Sequence, residues 1–255
     1  SQDRVHLAWV DADLGDVLYT VLPNPAAEVS APEPVEVKGA VGAYLQLALA
    51  PGDVPVMTYY HQGERMLRLA HRSADVPKMQ AHGAVVDPSR TAATKDGAKA
   101  DAAKKDGAKA DAAKKDATKP ETDARMGPGW VGEDVAFGDN VGLAGSLAVG
   151  RDGQPHVTYY AKGTRLRYAR RPAGMPAFGP TVDGRFDKLD VDIKAGASHT
   201  MSTDALTLDD GTVVVSYCNW NWVDAQVKVA LLRPKATAFD ILDGGMTKDV
   251  DGWHS

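Results

Sequence analysis

One cysteine, Cys218, is present in 255 residues. No intrachain disulfide can form from it, and no thiolate metal site with two or more Cys is possible. Cys218 ends the apolar run VVVSYC and reads as a buried, inert thiol. No stretch approaches the roughly 20 apolar residues of a membrane span, so no membrane insertion is expected. No N-terminal segment has the form of a signal peptide. No broad basic face is available either: net charge is −5, which argues against nucleic acid as a partner. G-x-S-x-G, phosphate-loop and dinucleotide fingerprints are missing, as is H-E-x-x-H. No catalytic residue, metal site or cofactor is therefore expected, and the reading leans away from an enzyme.

What is present is a repeat. Four segments share one pattern: 4–21, 54–72, 154–171 and 212–232. Each is a β-branched and aromatic run, a short polar break, then an alternating run, which is a hairpin signature. Trp9, Tyr59, Tyr159 and Tyr217 fall in one column, and Ala8, Thr58, Thr158 and Ser216 fall in the column before it. In the second strand Val17, Leu67, Leu166 and Val227 align, followed two residues on by Tyr19, Leu69, Tyr168 and Val229. A spacing of two places each such pair on one strand face.

A strand is expected before three hairpins, within 44–53, 145–154 and 205–212, and another after each, within 34–38, 130–137, 188–194 and 238–242. Hairpins start at 4, 54, 154 and 212, a period of about 50 with one gap doubled by an insert. Repeated units of four antiparallel strands predict an all-β fold, a β-propeller of about four blades or part of a larger one. The first hairpin lacks a preceding strand. The C-terminal DVDGWHS (249–255) is expected to supply it, or another chain completes the ring.

The segments SLAVGRDGQPHVTYY…LRYARR (146–171) and WVGEDV (130–135) resemble bacterial β-propeller repeats of the type S-L-A-x-D-x-x-G-x-P-H-x-S-Y-Y-D. The resemblance implies a propeller fold and an exported protein, extracellular or in the cell envelope or periplasm. It implies no activity, because such repeats serve many functions.

The propeller spans 1–89 and 125–255, and residues 90–124 form an Ala/Lys/Asp-rich insert. DGAKADAAKK occurs twice in tandem at 96–115, and nothing larger than Ala is apolar between 95 and 119. Such a segment buries too little surface to offset its ordering entropy. Its eight Lys and five Asp leave the remainder of the chain at about −8.

Propeller connectivity puts the hairpin turns and the connections into the innermost strands on one face. That face gathers Asp11, Asp13, Tyr44, His61, Gln62, Glu64, Lys162, His199, Trp253, His254 and the turn NWNWVD, residues 219–224. Trp220 and Trp222, beside Asn221 and Asp224, are suited to stacking on a sugar ring or anchoring a protein. The candidate binding residues are thus Trp220, Asn221, Trp222, Asp224, His61, Tyr44, Trp253 and His254. The same Trp pair also fits packing between blades.

His6 and His156 share a strand column and read as structural. The DVD pairs at 190–192 and 249–251 lack a full calcium loop and read as solvated acids. The reading reached is a non-catalytic binding or scaffold module with a protein or glycan partner. The alternatives are a propeller-type glycan hydrolase using carboxylates among Asp11, Glu64, Asp224 and Asp251, and an accessory subunit of a larger complex.

Overall fold

A computed structural model describes residues 4–27, 31–37, 41–73, 125–138, 141–161, 165–178, 186–193, 195, 203–220, 225–249 and 252–254. The whole of the expected insert, 90–124, lies outside them. The described chain is all-β, in four antiparallel sheets. Sheet I holds β1 (Val5–Val10), β2 (Val17–Leu22) and β3 (Glu33–Glu36). Sheet II holds β4 (Ala43–Ala50), β5 (Val54–His61), β6 (Met66–Arg72) and β7 (Trp130–Phe137). Sheet III holds β8 (Val141–Val149), β9 (Pro155–Ala161), β10 (Arg165–Arg170) and β11 (Asp187–Asp192). Sheet IV holds β12 (Thr203–Thr207), β13 (Val213–Trp220), β14 (Ala225–Leu232), β15 (Asp240–Asp249) and β16 (Gly252–His254).

The sheets pack face against face in chain order, as propeller blades do. Each joint has its own apolar cluster. Val17, Tyr19 and Val35 of sheet I meet Met57, Tyr59 and Ala70 of sheet II. Leu67, Leu69 and Val135 of sheet II meet Val157 and Tyr159 of sheet III. Leu166, Tyr168 and Val191 of sheet III meet Val213, Val215 and Tyr217 of sheet IV. The two faces of a strand therefore serve different joints. Tyr59, Tyr159 and Tyr217 look back at the preceding sheet, and the Leu67/Leu69 columns look forward to the next.

Three fourth strands carry the same irregularity. Val17 pairs with Glu36 but Leu18 with Pro34; Leu67 with Ala136 but Arg68 with Asp134; Leu166 with Asp192 but Arg167 with Asp190. The extra residue is Val35, Val135 or Val191, and each is at most 4% exposed. A bulge that carries a buried valine bends the outer strand and drives a side chain into the joint.

One expectation about connectivity needs correction. The C-terminal segment does not become an innermost strand for β1. Asp249 pairs with Gly252 and Thr247 with His254, so β16 folds back on the outer edge of sheet IV. A local two-residue reversal costs far less loop-closure entropy than joining the chain's two ends. Sheet I consequently has three strands, with β1 at its inner edge. Arg125 and Met126, which lead into β7, lie beside β3. Met126 bridges Glu36, and the Val37 N–H donates to the Arg125 carbonyl at 2.8 Å.

Candidate functional site

The face carrying the hairpin turns is assembled by backbone hydrogen bonds. The Val41 N–H, in the connection to β4, donates to the carbonyl of Gly15 in the β1–β2 turn at 3.1 Å. The Gly138 N–H, leading to β8, donates to the carbonyl of Arg65 in the β5–β6 turn at 3.0 Å. Turns and inner-strand entries do share one face, as the repeat predicted.

Tyr44 stands on that face with 40% of its surface exposed. Its backbone is left-handed, φ +58°, and Ala144, at the same place in β8, has φ +46°. Both sit where the inner strand slips register against its partner, between Ala43 and Gln46 in β4 and between Leu143 and Ser146 in β8. A non-glycine residue held there costs about 1 kcal/mol or more. The bulge thus presents a tyrosine where a regular strand would not.

His61 was read as a residue of the same exposed face, and the structure corrects this. It is 2% exposed. Its Nδ1 accepts from the Glu64 N–H at 3.1 Å, so the neutral ring carries its proton on Nε2, which faces Glu36 Oε1 at 3.8 Å. The turn's short Gly63 lets the backbone fold over the ring.

Beneath the turns, in the joint between sheets I and II, lies a buried charged cluster. Glu36 is 0% exposed. It accepts from the Tyr59 hydroxyl and from Arg68 Nε at 2.8 Å. Arg68, 1% exposed, also reaches Asp134 at 2.6 Å. Arg125 pairs with Glu64 and approaches Glu36 at 3.8 Å. Burial, then the Glu36 charge, push the Tyr59 phenol well above its usual pKa. A carboxylate held by a guanidinium and a tyrosine hydroxyl and sealed from water acts as a structural clasp between the two sheets.

The clasp is part of the repeat. Asp192 stands where Glu36 does, and the Tyr217 hydroxyl donates to it at 2.8 Å while Lys228 Nζ lies 3.8 Å away. In the middle joint the same position is Ala136. There the buried Tyr159 hydroxyl has no hydrogen-bond partner of ordinary geometry although Arg167 lies beside it, and Arg167 turns to Asp190 of its own sheet at 3.2 Å. Asp192 is 8% exposed, so the reading of that DVD pair as solvated holds for Asp190 and not for Asp192. At the other rim of the middle joint Glu133 takes a bidentate pair from Arg171 and a contact from His71 Nε2 at 3.0 Å.

Sequence reasoning did not single out Glu36, Arg68, Glu133 or Arg171. The available signal was a base between two apolar residues in each third strand (Arg68, Arg167, Lys228) and an acid beside the bulge valine.

The other candidates divide as follows. Trp220 ends β13, its backbone paired with Ala225, and Trp253 and His254 lie in β16 paired with Lys248 and Thr247. Asn221, Trp222 and Asp224 lie outside the described residues, as do Lys162 and His199. Of the four carboxylates weighed for hydrolysis, Asp11 accepts from the N–H groups of Asp13 and Leu14 at 2.9 and 3.0 Å, and Glu64 holds Arg125. Asp224 and Asp251 lie outside the described residues. Among the described residues no group of three or more His, Cys, Asp or Glu is placed to hold a metal ion.

No family model matches the chain. No curated protein matches it either. Among solved structures, the GH43 endo-arabinanase from Bacillus licheniformis aligns with 99% of this chain and 73% of its own, at 11% identity and a TM-score of 0.38, a likeness too weak to carry an argument.

Proposed function

We propose that this chain is a non-catalytic binding or assembly module, working outside the cytoplasm, that contacts a protein or glycan through its hairpin-turn face. The contact is centred on Trp220, Asn221, Trp222 and Asp224, with Tyr44, Trp253 and His254 around it. His61 is left out because it is buried. The supporting observation is Tyr44, an exposed aromatic kept in a strained left-handed conformation on that face. The bulge recurs at Ala144, so its geometry belongs to the repeat, and what is particular to this unit is the exposed aromatic that the bulge carries. Of the acids weighed for hydrolysis, the two that are described, Asp11 and Glu64, are occupied in holding a turn and an arginine.

The test is the Trp220→Ala/Trp222→Ala double variant, with Tyr44→Ala beside it, in a glycan array and a pull-down. Loss of a wild-type interaction with an unchanged unfolding midpoint supports the reading, since anchoring aromatics at an interface can be removed without harming the core. A stable double variant that still binds removes this site. Destabilisation by about 3 kcal/mol or more assigns the Trp pair to packing instead.

A further inference from the structure

The middle joint, between sheets II and III, is built differently from the two beside it. Joints I–II and III–IV each have a carboxylate–tyrosine clasp, Glu36 with Tyr59 and Asp192 with Tyr217. Each also has a forward tyrosine, Tyr19 or Tyr168, whose hydroxyl meets a histidine of its own sheet. The ring of that tyrosine meets edge-on an aromatic beside the start of the next sheet's fourth strand, Trp130 at 5.2 Å or Phe239 at 5.4 Å. In the middle joint the corresponding positions are Ala136 and Leu69, so neither device is present. The joint is held at its rim instead, by His71, Glu133 and Arg171, all three buried.

Both ring nitrogens of His71 face oxygens that can only accept. Nδ1 lies 3.1 Å from the Arg72 carbonyl, and Nε2 lies 3.0 Å from Glu133 Oε1. A carbonyl has no proton to offer. Neither has Glu133, because both of its oxygens take N–H groups of Arg171, which favours the ionised carboxylate. A neutral imidazole has one N–H and one bare nitrogen. Either tautomer would therefore point a lone pair at an oxygen, on a ring with 0% exposure to water. The other histidines differ. His6 and His156 meet a tyrosine hydroxyl, and His61 accepts from a backbone N–H. Each of those partners can donate, so a neutral ring satisfies them.

We infer that His71 is held as an imidazolium, and that the bridge His71–Glu133–Arg171 makes the joint between sheets II and III proton-dependent. Among the described residues the ionisable groups around the ring are Glu133 of β7, Arg171 after β10 and Arg72 beside it on β6. Arg171 opposes a second cation here, while the carboxylate that both share and the Arg72 carbonyl favour it. The Arg72 guanidinium turns away, to Glu33 of sheet I and over the Tyr19 and Trp130 rings. Phe178 covers the imidazole at 5.0 Å between centroids. Removing the proton sets a bare nitrogen against the carboxylate or the carbonyl. The stabilisation is thus fully present below the unfolded-chain value of about 6.5 and is lost as pH rises and the folded ring gives up its proton. The guanidinium, ammonium and phenol donors of the other two clasps keep their protons over that range. Of the three joints it is the middle one that loosens on the alkaline side. The bridge lies at the rim away from the hairpin turns, so its test leaves the turn-face reading untouched.

The experiment is urea unfolding of the full 255-residue chain and of His71→Gln, each at about pH 6 and about pH 8. Relative to the variant, the wild-type folding constant should fall about threefold or more between the two. Titrations common to both chains cancel in that comparison. A ratio that stays level, or rises, overturns the inference. Should His71→Gln not fold, a long-range proton–nitrogen NMR spectrum of the wild type decides. At about pH 7 a solvated histidine is mainly neutral, whereas His71 should show two protonated ring nitrogens. One bare ring nitrogen overturns the inference.

Discussion

The hydroxyl of one repeated tyrosine can be removed at three joints, and the structure assigns each a different cost. Tyr59→Phe deletes a donor to Glu36, a carboxylate with no exposed surface. A hydrogen bond to a charged group contributes about 1.5–3 kcal/mol, and the upper part of that range applies where the acceptor is sealed from water. The expected loss is about 2–3 kcal/mol. Tyr217→Phe deletes the 2.8 Å bond to Asp192, which keeps 8% exposure and Lys228 nearby. Its expected loss is about 1.5–2 kcal/mol. Tyr159→Phe deletes a buried hydroxyl that faces no carboxylate and has only Arg167 beside it, without a hydrogen bond of ordinary geometry. Its removal relieves a desolvation cost, so the change should lie between zero and about 1 kcal/mol of stabilisation. Urea unfolding with a common slope measures all three, since shape and apolar area are nearly conserved. Three equal losses would refute the assignment, because the repeat alone cannot distinguish the sites and only the identities of Glu36, Ala136 and Asp192 do. A large loss at Tyr159 alone would show that its hydroxyl has an acceptor and that the sheet II–III joint is misregistered.

His156, whose Nδ1 meets the Tyr168 hydroxyl at 2.5 Å, has its pKa lowered to about 4, mainly by burial. The folded state thus prefers the neutral ring. Its contribution is complete above the unfolded value of about 6.5 and is lost as pH falls toward 4, by at most about 3 kcal/mol. His156→Gln should flatten the wild-type pH dependence of stability between those values, and parallel curves would count against it. Gly127→Ala would place a Cβ 1.8 Å from the Pro34 carbonyl oxygen, and calorimetry should find a loss of about 2–3 kcal/mol. Replacing 90–124 with a short Gly/Ser linker that retains Arg125 and Met126 should shift stability by no more than about 0.5–1 kcal/mol; collapse of folding would show that the insert packs on the body.

The strand columns were legible because period-two alternation is a property of each segment alone. Tyr59, Tyr159 and Tyr217 fall in the core, and His6 and His156 each bond a strand tyrosine, as their shared column suggested. Trp9 shares the tyrosine column but is only half-buried, since no described sheet packs on that face of sheet I. The clasp escaped notice for a different reason. Glu36 and Tyr59 lie 23 residues apart on different sheets, and no pattern within one unit predicts which face meets which. The same blindness left Asp192 among the solvated acids. His61 was misplaced because a residue at a strand end beside a polar turn resembles a surface residue, whereas the Gly63 bend folds it inward. The Trp-bearing turn is legible in the sequence by its unusual residues, of which Asn221, Trp222 and Asp224 lie outside the described residues.

The account rests on sheet I being clasped to sheet II, and sheet III to sheet IV, through a carboxylate on the outer strand and a tyrosine on the second strand of the neighbouring sheet. A double-mutant cycle between Glu36→Gln and Tyr59→Phe measures that contact directly. The account predicts a coupling of about 1.5 kcal/mol or more, because the two residues share one buried bond across the joint. Effects that add to within about 0.5 kcal/mol would place the two residues in separate environments and contradict it.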